Sequence, residues 1–277
     1  MRSVVVAAAV GVMAQTAYAA DMPDYGPLRG ALVETPRVIN WEGFYVGGQG
    51  GYGTSDMNFT NATQGIVSDA VHDTVIAGFG VPGWPVLGKT SVHGQGIGGF
   101  LGYNAQWEDV VIGVEANYLH ASFDQTVSNF PANSMTRCSP NSIIYSESNG
   151  NTHNICYGAS GTMNVKDVGS VRARAGWAFG SFLPYMFGGV SLGRADIIRS
   201  ATVIDSWTDS SGQNHRPVYS PTQIQNNHFI YGYAGGLGMD MMLYRGLFLR
   251  AEWEYLKFAA PIDTSVSTVR AGLGYKF

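Results

Sequence analysis

The sequence predicts an all-β protein: an eight-stranded antiparallel up-and-down transmembrane β-barrel with three long external loops and short periplasmic turns. Three observations carry this. Apolar residues alternate with polar or small ones in eight segments of roughly 10 to 14 residues, against the 9 to 11 that cross an apolar layer as tilted strands. The links between these segments are mostly long and short by turns. Charged residues are only 13% of the chain, about half the usual share, while the 37 glycines are about twice theirs.

The chain opens on a different pattern. Arg2 precedes an apolar stretch over residues 4–13, then the small-x-small run Ala17-Tyr18-Ala19 before Ala20 and Asp21. Residues 1–20 therefore read as a secretory signal peptide, and export implies a compartment where disulfides form. Residues 21–40, with Pro23, Pro27 and Pro36, read as an irregular periplasmic lead-in. The barrel domain is expected over 41–277.

The first strand is WEGFYVGGQGGYG, residues 41–53. Phe44, Val46, Gly48, Gly50 and Tyr52 share one face, and Tyr45, Gly47, Gln49, Gly51 and Gly53 the other. Its glycines let a curved sheet close and leave room for large inward side chains from neighbouring strands. Residues 54–89 read as a long polar loop. The second strand is expected over 91–103, and after a turn at 106–109 the third over 110–123. There Ile112, Val114, Ala116 and Tyr118 oppose Gly113, Glu115, Asn117 and Leu119. A second long polar stretch, 124–163, holds both cysteines.

In the fourth strand, 165–179, Val171, Ala173, Ala175, Trp177 and Phe179 oppose Arg172, Arg174 and Gly176. A tight turn at 180–184 leads to the fifth, 185–194, and residues 195–227 read as the third long loop. The sixth, 228–239, sets Phe229, Tyr231, Tyr233, Gly235 and Leu237 on one face. After a turn at 241–245 the seventh, 246–258, opposes Leu247, Leu249, Ala251, Trp253 and Tyr255 to Phe248, Arg250, Glu252, Glu254 and Leu256. A brief loop, 259–264, leads to the last strand, 265–277, where Val269, Ala271, Leu273, Tyr275 and Phe277 oppose Arg270, Lys276 and small residues.

A soluble sandwich would bury the aromatic face and wet the charged one. The long polar links and the Trp and Tyr residues toward strand ends favour the barrel. Its interior then collects Glu115, Arg172, Arg174, Arg250, Glu252, Glu254, Arg270 and Lys276 as a paired network, since unpaired buried charge is costly. A barrel of this size is filled by its own side chains or holds one small ligand. After the signal segment no apolar run is long enough for a transmembrane helix, which needs about 18 residues. The net charge of −4, with no Arg/Lys cluster, argues against a nucleic-acid partner.

Cys138 and Cys156 are the only cysteines, and after export a disulfide between them is expected. No CxxC or HxxxH spacing points to a metal, and no cofactor is expected. His72, His153 and His215 fall in expected loops, with solvated or loop-packing roles.

The signal peptide, WEGFYVGGQGGYG, GQGIGGFLGY at 94–103, VGSVRARAGWAFG at 168–180 and the terminal VRAGLGYKF together resemble the small outer-membrane barrel proteins of alphaproteobacteria. That group carries a porin-family label and is distantly similar to the transmembrane domain of outer membrane protein A. The resemblance covers 41–277. It implies residence in a Gram-negative outer membrane among lipid and lipopolysaccharide, with envelope or host-surface roles and, in some members, haem binding. It also implies that the final aromatic residue, Phe277, is read as an assembly signal by the barrel assembly machinery. His120 and Ser122 stand at i and i+2, a spacing also seen in lipid A deacylase barrels, where the pair resembles a base and nucleophile backed by a carboxylate. Here they sit on a different strand, and the sequence assigns no orienting acid, so no enzyme activity is expected. The leading expectation is a non-enzymatic barrel serving envelope structure and surface display. The alternatives are a narrow channel for small solutes and a surface receptor binding haem or a host factor through its loops.

Overall fold

The computed structural model describes residues 39–130, 142–147, 150–260 and 262–277. The expected signal peptide, most of the lead-in and Cys138 lie outside these residues. The strands are β1 (Gly43–Asn58), β2 (Lys89–Trp107), β3 (Val110–Asn129), β4 (Ser142–Ser146), β5 (Thr152–Trp177), β6 (Phe182–Thr208), β7 (Asn214–His215), β8 (Val218–Tyr219), β9 (Thr222–Tyr244), β10 (Leu247–Ala259) and β11 (Asp263–Lys276). Eight of them close a ring of antiparallel pairs, β1–β2–β3–β5–β6–β9–β10–β11, in which the last returns to the first through Tyr45 opposite Lys276. In the half near the short turns, closure pairs each of these strands on both sides, so that no open edge faces lipid.

The chain reverses at one end of the barrel through residues 108–109, 178–181 and 245–246, where Glu108, Gly180, Arg245 and Gly246 take positive φ. Both ends of the barrel chain lie at this same end, since Phe277 N–H donates to the Phe44 carbonyl at 2.9 Å. Trp41, expected in the first strand, instead precedes it and is buried as part of the plug at this end.

Strand length departs most from the sequence expectation. Most of the described residues of 124–163, and most of 195–227, expected as loops, are strand: β3 runs on to Asn129, β5 starts at Thr152, and β6 continues to Thr208. The expected loop over 54–89 is shortened at both ends by β1 and β2, and it folds into α1 (Gln64–Val71), α2 (Val75–Gly78) and a 3₁₀ turn (Val81–Gly83). The physical reason is an inversion of the side-chain pattern. In the half near the short turns, apolar residues face out and polar or small ones face in. In the far half the outside is mainly Ser, Thr, Asn and Asp, such as Ser122, Thr126, Thr162 and Asn164, with Ile198 and Ile224 among them, while Ile155, Met163, Val165, Ile197 and Val203 point inward. Register shifts at His120/Phe123, Val165/Asp167 and Ala195/Ile197 mark this boundary on adjacent strands. Across its shift β5 changes which alternate residues face inward, from Val168, Ser170 and Arg172 to Val165, Met163 and Ile155.

The interior is filled in three layers. Trp41, Tyr45, Phe100, Leu183, Tyr185, Phe187 and Phe248 pack the short-turn end. Charged side chains occupy the middle. A larger apolar core, including Met57, Phe123, Met163, Ile197, Ile230 and Phe258, fills the far half, and Val67, Val71, Ile76 and Val81 of the helical lid press down on it. Glycine makes room for the rings: a Cβ at Gly274 would collide with the Phe248 ring, and one at Gly47 with Phe100. Among the described residues no helix is long and apolar enough to cross a membrane.

Candidate functional site

The middle layer is built by side chains that the strand period turns inward from β3, β5, β9, β10 and β11. Arg172 donates to Glu115 at 2.9 and 2.5 Å, to Glu252 at 2.7 Å and to Glu254 at 3.2 Å. Arg250 donates through Nε to Asp240 at 2.8 Å and through Nη1 to Glu115 at 2.7 Å, and Arg174 reaches Asp240 at 2.8 Å. Arg270 pairs with Glu254 and donates to Asn117 at 3.0 Å. Tyr45 and Tyr185 cap the carboxylates of Glu115 and Glu252 from below, at 2.8 and 2.6 Å. Rings of the plug also stack under the cations, with Arg250 over Phe100 at 3.9 Å and Arg174 over Tyr185 at 3.8 Å.

The guanidiniums of Arg172, Arg174, Arg250 and Arg270 face the carboxylates of Glu115, Asp240, Glu252 and Glu254, so the belt is formally neutral, and all eight are buried. A neutral, fully bonded belt is the one form in which so much charge can sit in a dry interior. Seven of the sequence-derived residues, Glu115, Arg172, Arg174, Arg250, Glu252, Glu254 and Arg270, meet here. Lys276 does not. It lies at the short-turn mouth with Nζ on the Glu42 carbonyl at 2.8 Å, because the last strand has by then left the lumen. Asp240 was missed, since it falls just past the expected end of its strand.

A second cluster lies outside the wall, at the level of the register shifts. His120 of β3, Asp167 of β5 and Arg194 of β6 occupy one rung, with Phe229 of β9 beside them. Asp167 accepts from Tyr118 at 2.7 Å, bonds His120 Nδ1 at 2.7 Å and accepts from Arg194 at 2.7 Å. Asp167 is thus the acid beside His120 that the sequence did not assign. Ser122 is exposed, and among the described residues no hydrogen bond joins it to His120.

A third cluster sits at the far tip. His153, expected in a loop with a solvated or packing role, is buried in β5 with Nδ1 2.8 Å from Asp205 Oδ2 and Nε2 3.7 Å from Glu147. Its ring lies 4.9 Å from that of Trp207 and 5.7 Å from that of Phe79, and His215 stacks on the other face of Trp207 at 5.0 Å. Desolvation raises the Asp205 carboxyl above its ordinary value, against the pull of His153. His72 follows α1 and is exposed. Cys156 is buried in β5, while its expected partner Cys138 is outside the described residues. Among the described residues no group of three or more His, Cys, Asp or Glu is placed to hold a metal ion. Phe277 is largely exposed at the mouth, with its ring 5.2 Å from that of Tyr275.

The family described as "Outer membrane protein beta-barrel domain" matches residues 4–277. A 25 kDa outer-membrane immunogenic protein of Brucella ovis is 23% identical over 276 residues, covering 99% of this chain and 96% of that protein. Among solved structures, the attachment invasion locus protein Ail of Yersinia pestis is similar at 14% identity, with TM-score 0.38, over 85% of this chain and 99% of its own. Neisserial surface protein A is similar at 13% identity, with TM-score 0.36, over 84% and 97%.

Proposed function

The chain belongs to the outer membrane protein β-barrel domain family and is an outer-membrane barrel; on that premise we propose that it is a closed, non-enzymatic barrel that contributes to the envelope and displays a rigid extension at the cell surface. The observation that carries this reading is the inversion of side-chain pattern. Below the register shifts the outside is made for lipid, and above them β3, β5 and β6 continue for several rungs with a mainly polar outside and apolar residues packed inside, while β9 continues beside β6. A wall that continues into water as a cored structure holds its tip away from the membrane. The description of the Brucella ovis relative as an outer-membrane immunogenic protein supports exposure of that tip.

The filled lumen weighs against the solute-channel alternative. Three packed layers leave the charged belt dry, and ion passage would require opening its pairs. The test is planar-bilayer recording of the purified, folded protein together with surface labelling of a cysteine placed at Ser211 in intact cells. Labelling without single-channel steps is the expected outcome. Stable steps would replace this reading with the channel, and an unlabelled tip would end the display proposal.

A further inference from the structure

On the lipid-facing wall, three successive rungs cross the same four strands. The highest is His120, Asp167, Arg194 and Phe229, the next Tyr118, Gly169, Leu192 and Tyr231, and the third Ala116, Val171, Val190 and Tyr233. The lower two are apolar or aromatic, so they lie in the acyl region, and the top rung lies at its boundary with water. Between them is an external groove of about 300 Å³ lined by Tyr118, Asp167, Gly169, Leu192, Arg194 and Phe229.

Its floor is open because Gly169 carries no side chain. A Cβ there would have only ordinary contacts, the nearest being the Asn117 carbonyl at 3.9 Å and the Leu192 carbonyl at 4.0 Å. Tyr118 and Phe229 stand as walls, each about half or more exposed. At the upper end the charges are arranged asymmetrically. The Asp167 side chain is 15% exposed and occupied by three donors, whereas Arg194 is 47% and His120 65% exposed. Arg194 spends one N–H on Asp167 among the described residues, and a guanidinium carries five. The groove therefore presents the remaining N–H donors of the Arg194 guanidinium at its polar end and an apolar slot beneath them.

We infer that this groove binds one outer-leaflet lipid with a phosphorylated headgroup, its phosphate on the Arg194 guanidinium and the upper part of an acyl chain between Tyr118 and Phe229 over Gly169. The exposed N–H donors of Arg194, set against a carboxylate that is covered and already fully bonded, select the phosphate, and continuity with the lipid-facing wall selects an amphiphile over a free anion. The inference rests on the outer-membrane placement and not on surface display, so the two can fail separately.

The test is native mass spectrometry of the folded full-length protein in detergent, titrated with bisphosphorylated lipid A, dephosphorylated lipid A, phosphatidylglycerol and inorganic phosphate. Retention of lipid A is expected to fall about tenfold when its phosphates are removed, and about tenfold in Arg194→Gln, as loss of one charge-assisted bond implies. Gly169→Leu, which fills the slot without a backbone clash, is expected to abolish retention. Ala251→Leu, on the lipid face of β10, is expected to leave it unchanged. Retention of lipid A alone would identify a glycolipid, and retention of both phosphorylated lipids would identify any phosphorylated amphiphile. Binding indifferent to phosphate, unchanged in both groove variants, or matched by inorganic phosphate would overturn the inference. Heat-modifiable gel mobility of each variant separates lost binding from a failure to fold.

Discussion

Arg250 of β10 and Glu115 of β3 meet at 2.7 Å, and their strands are four steps apart in either direction round the ring. The bond therefore crosses the full width of the lumen. Glu115 also accepts from Arg172 and Tyr45, so one carboxylate ties three strands besides its own. Replacing it strands cations that have no water to turn to. Glu115→Ala is expected to cost about 3 to 5 kcal/mol, the loss seen when one partner of a buried pair is removed. Urea unfolding of the protein refolded into lipid vesicles measures this. A loss below about 1 kcal/mol, the worth of an exposed pair, would mean that the belt is wetter than its geometry implies.

How much of this was legible in the sequence depended on which side of the wall faced lipid. Strands such as 246–258 and 265–277 were readable because every second residue is large and apolar while its neighbours are charged or glycine. In 152–163 and 197–207 the same period is present with its sense reversed. Ser, Thr and Asn face outward there, and polar text rich in such residues reads as loop. The shift at Val165/Asp167 also changes the parity within β5, which breaks the count just where the strand continues. Most of the charged belt followed from inward parity alone. Asp240 escaped because a strand end is the least certain feature of such a pattern, and Asp167 because its partner His120 lies 47 residues away and meets it only through strand pairing.

At the tip, acidity should tighten the structure. The Asp205 carboxyl is raised above its ordinary value, with burial as the leading cause. A raised acid binds its proton more strongly folded than unfolded. Its contribution is therefore fully present below the unfolded value, about 3.9, and is lost as pH rises through the higher folded value. Protease resistance of the β6 to β8 region is thus expected to be greater at about pH 4.5 than at about pH 7.5. Asp205→Asn cannot titrate and should show a much smaller difference. An undiminished pH response in that variant would remove Asp205 from the explanation.

At the other end, Phe277 contributes little to the folded barrel and should matter mainly before it forms. The residue is 74% exposed, and it is held by a backbone bond to Phe44, by Lys276 Nζ on its carbonyl at 3.3 Å and by the edge of Tyr275. An exposed aromatic side chain recovers almost none of its burial energy, so deleting Phe277 is expected to change urea resistance of the folded protein little. The same deletion should lower outer-membrane insertion in cells several-fold if the terminal aromatic residue is the group that the assembly machinery reads. Pulse-labelled cells, scored for the fraction of chain that acquires heat-modifiable mobility, separate the two effects. Equal insertion of the truncated and full-length chains would place the assembly signal elsewhere in β11, whose Val269, Leu273 and Tyr275 would be the next positions to vary.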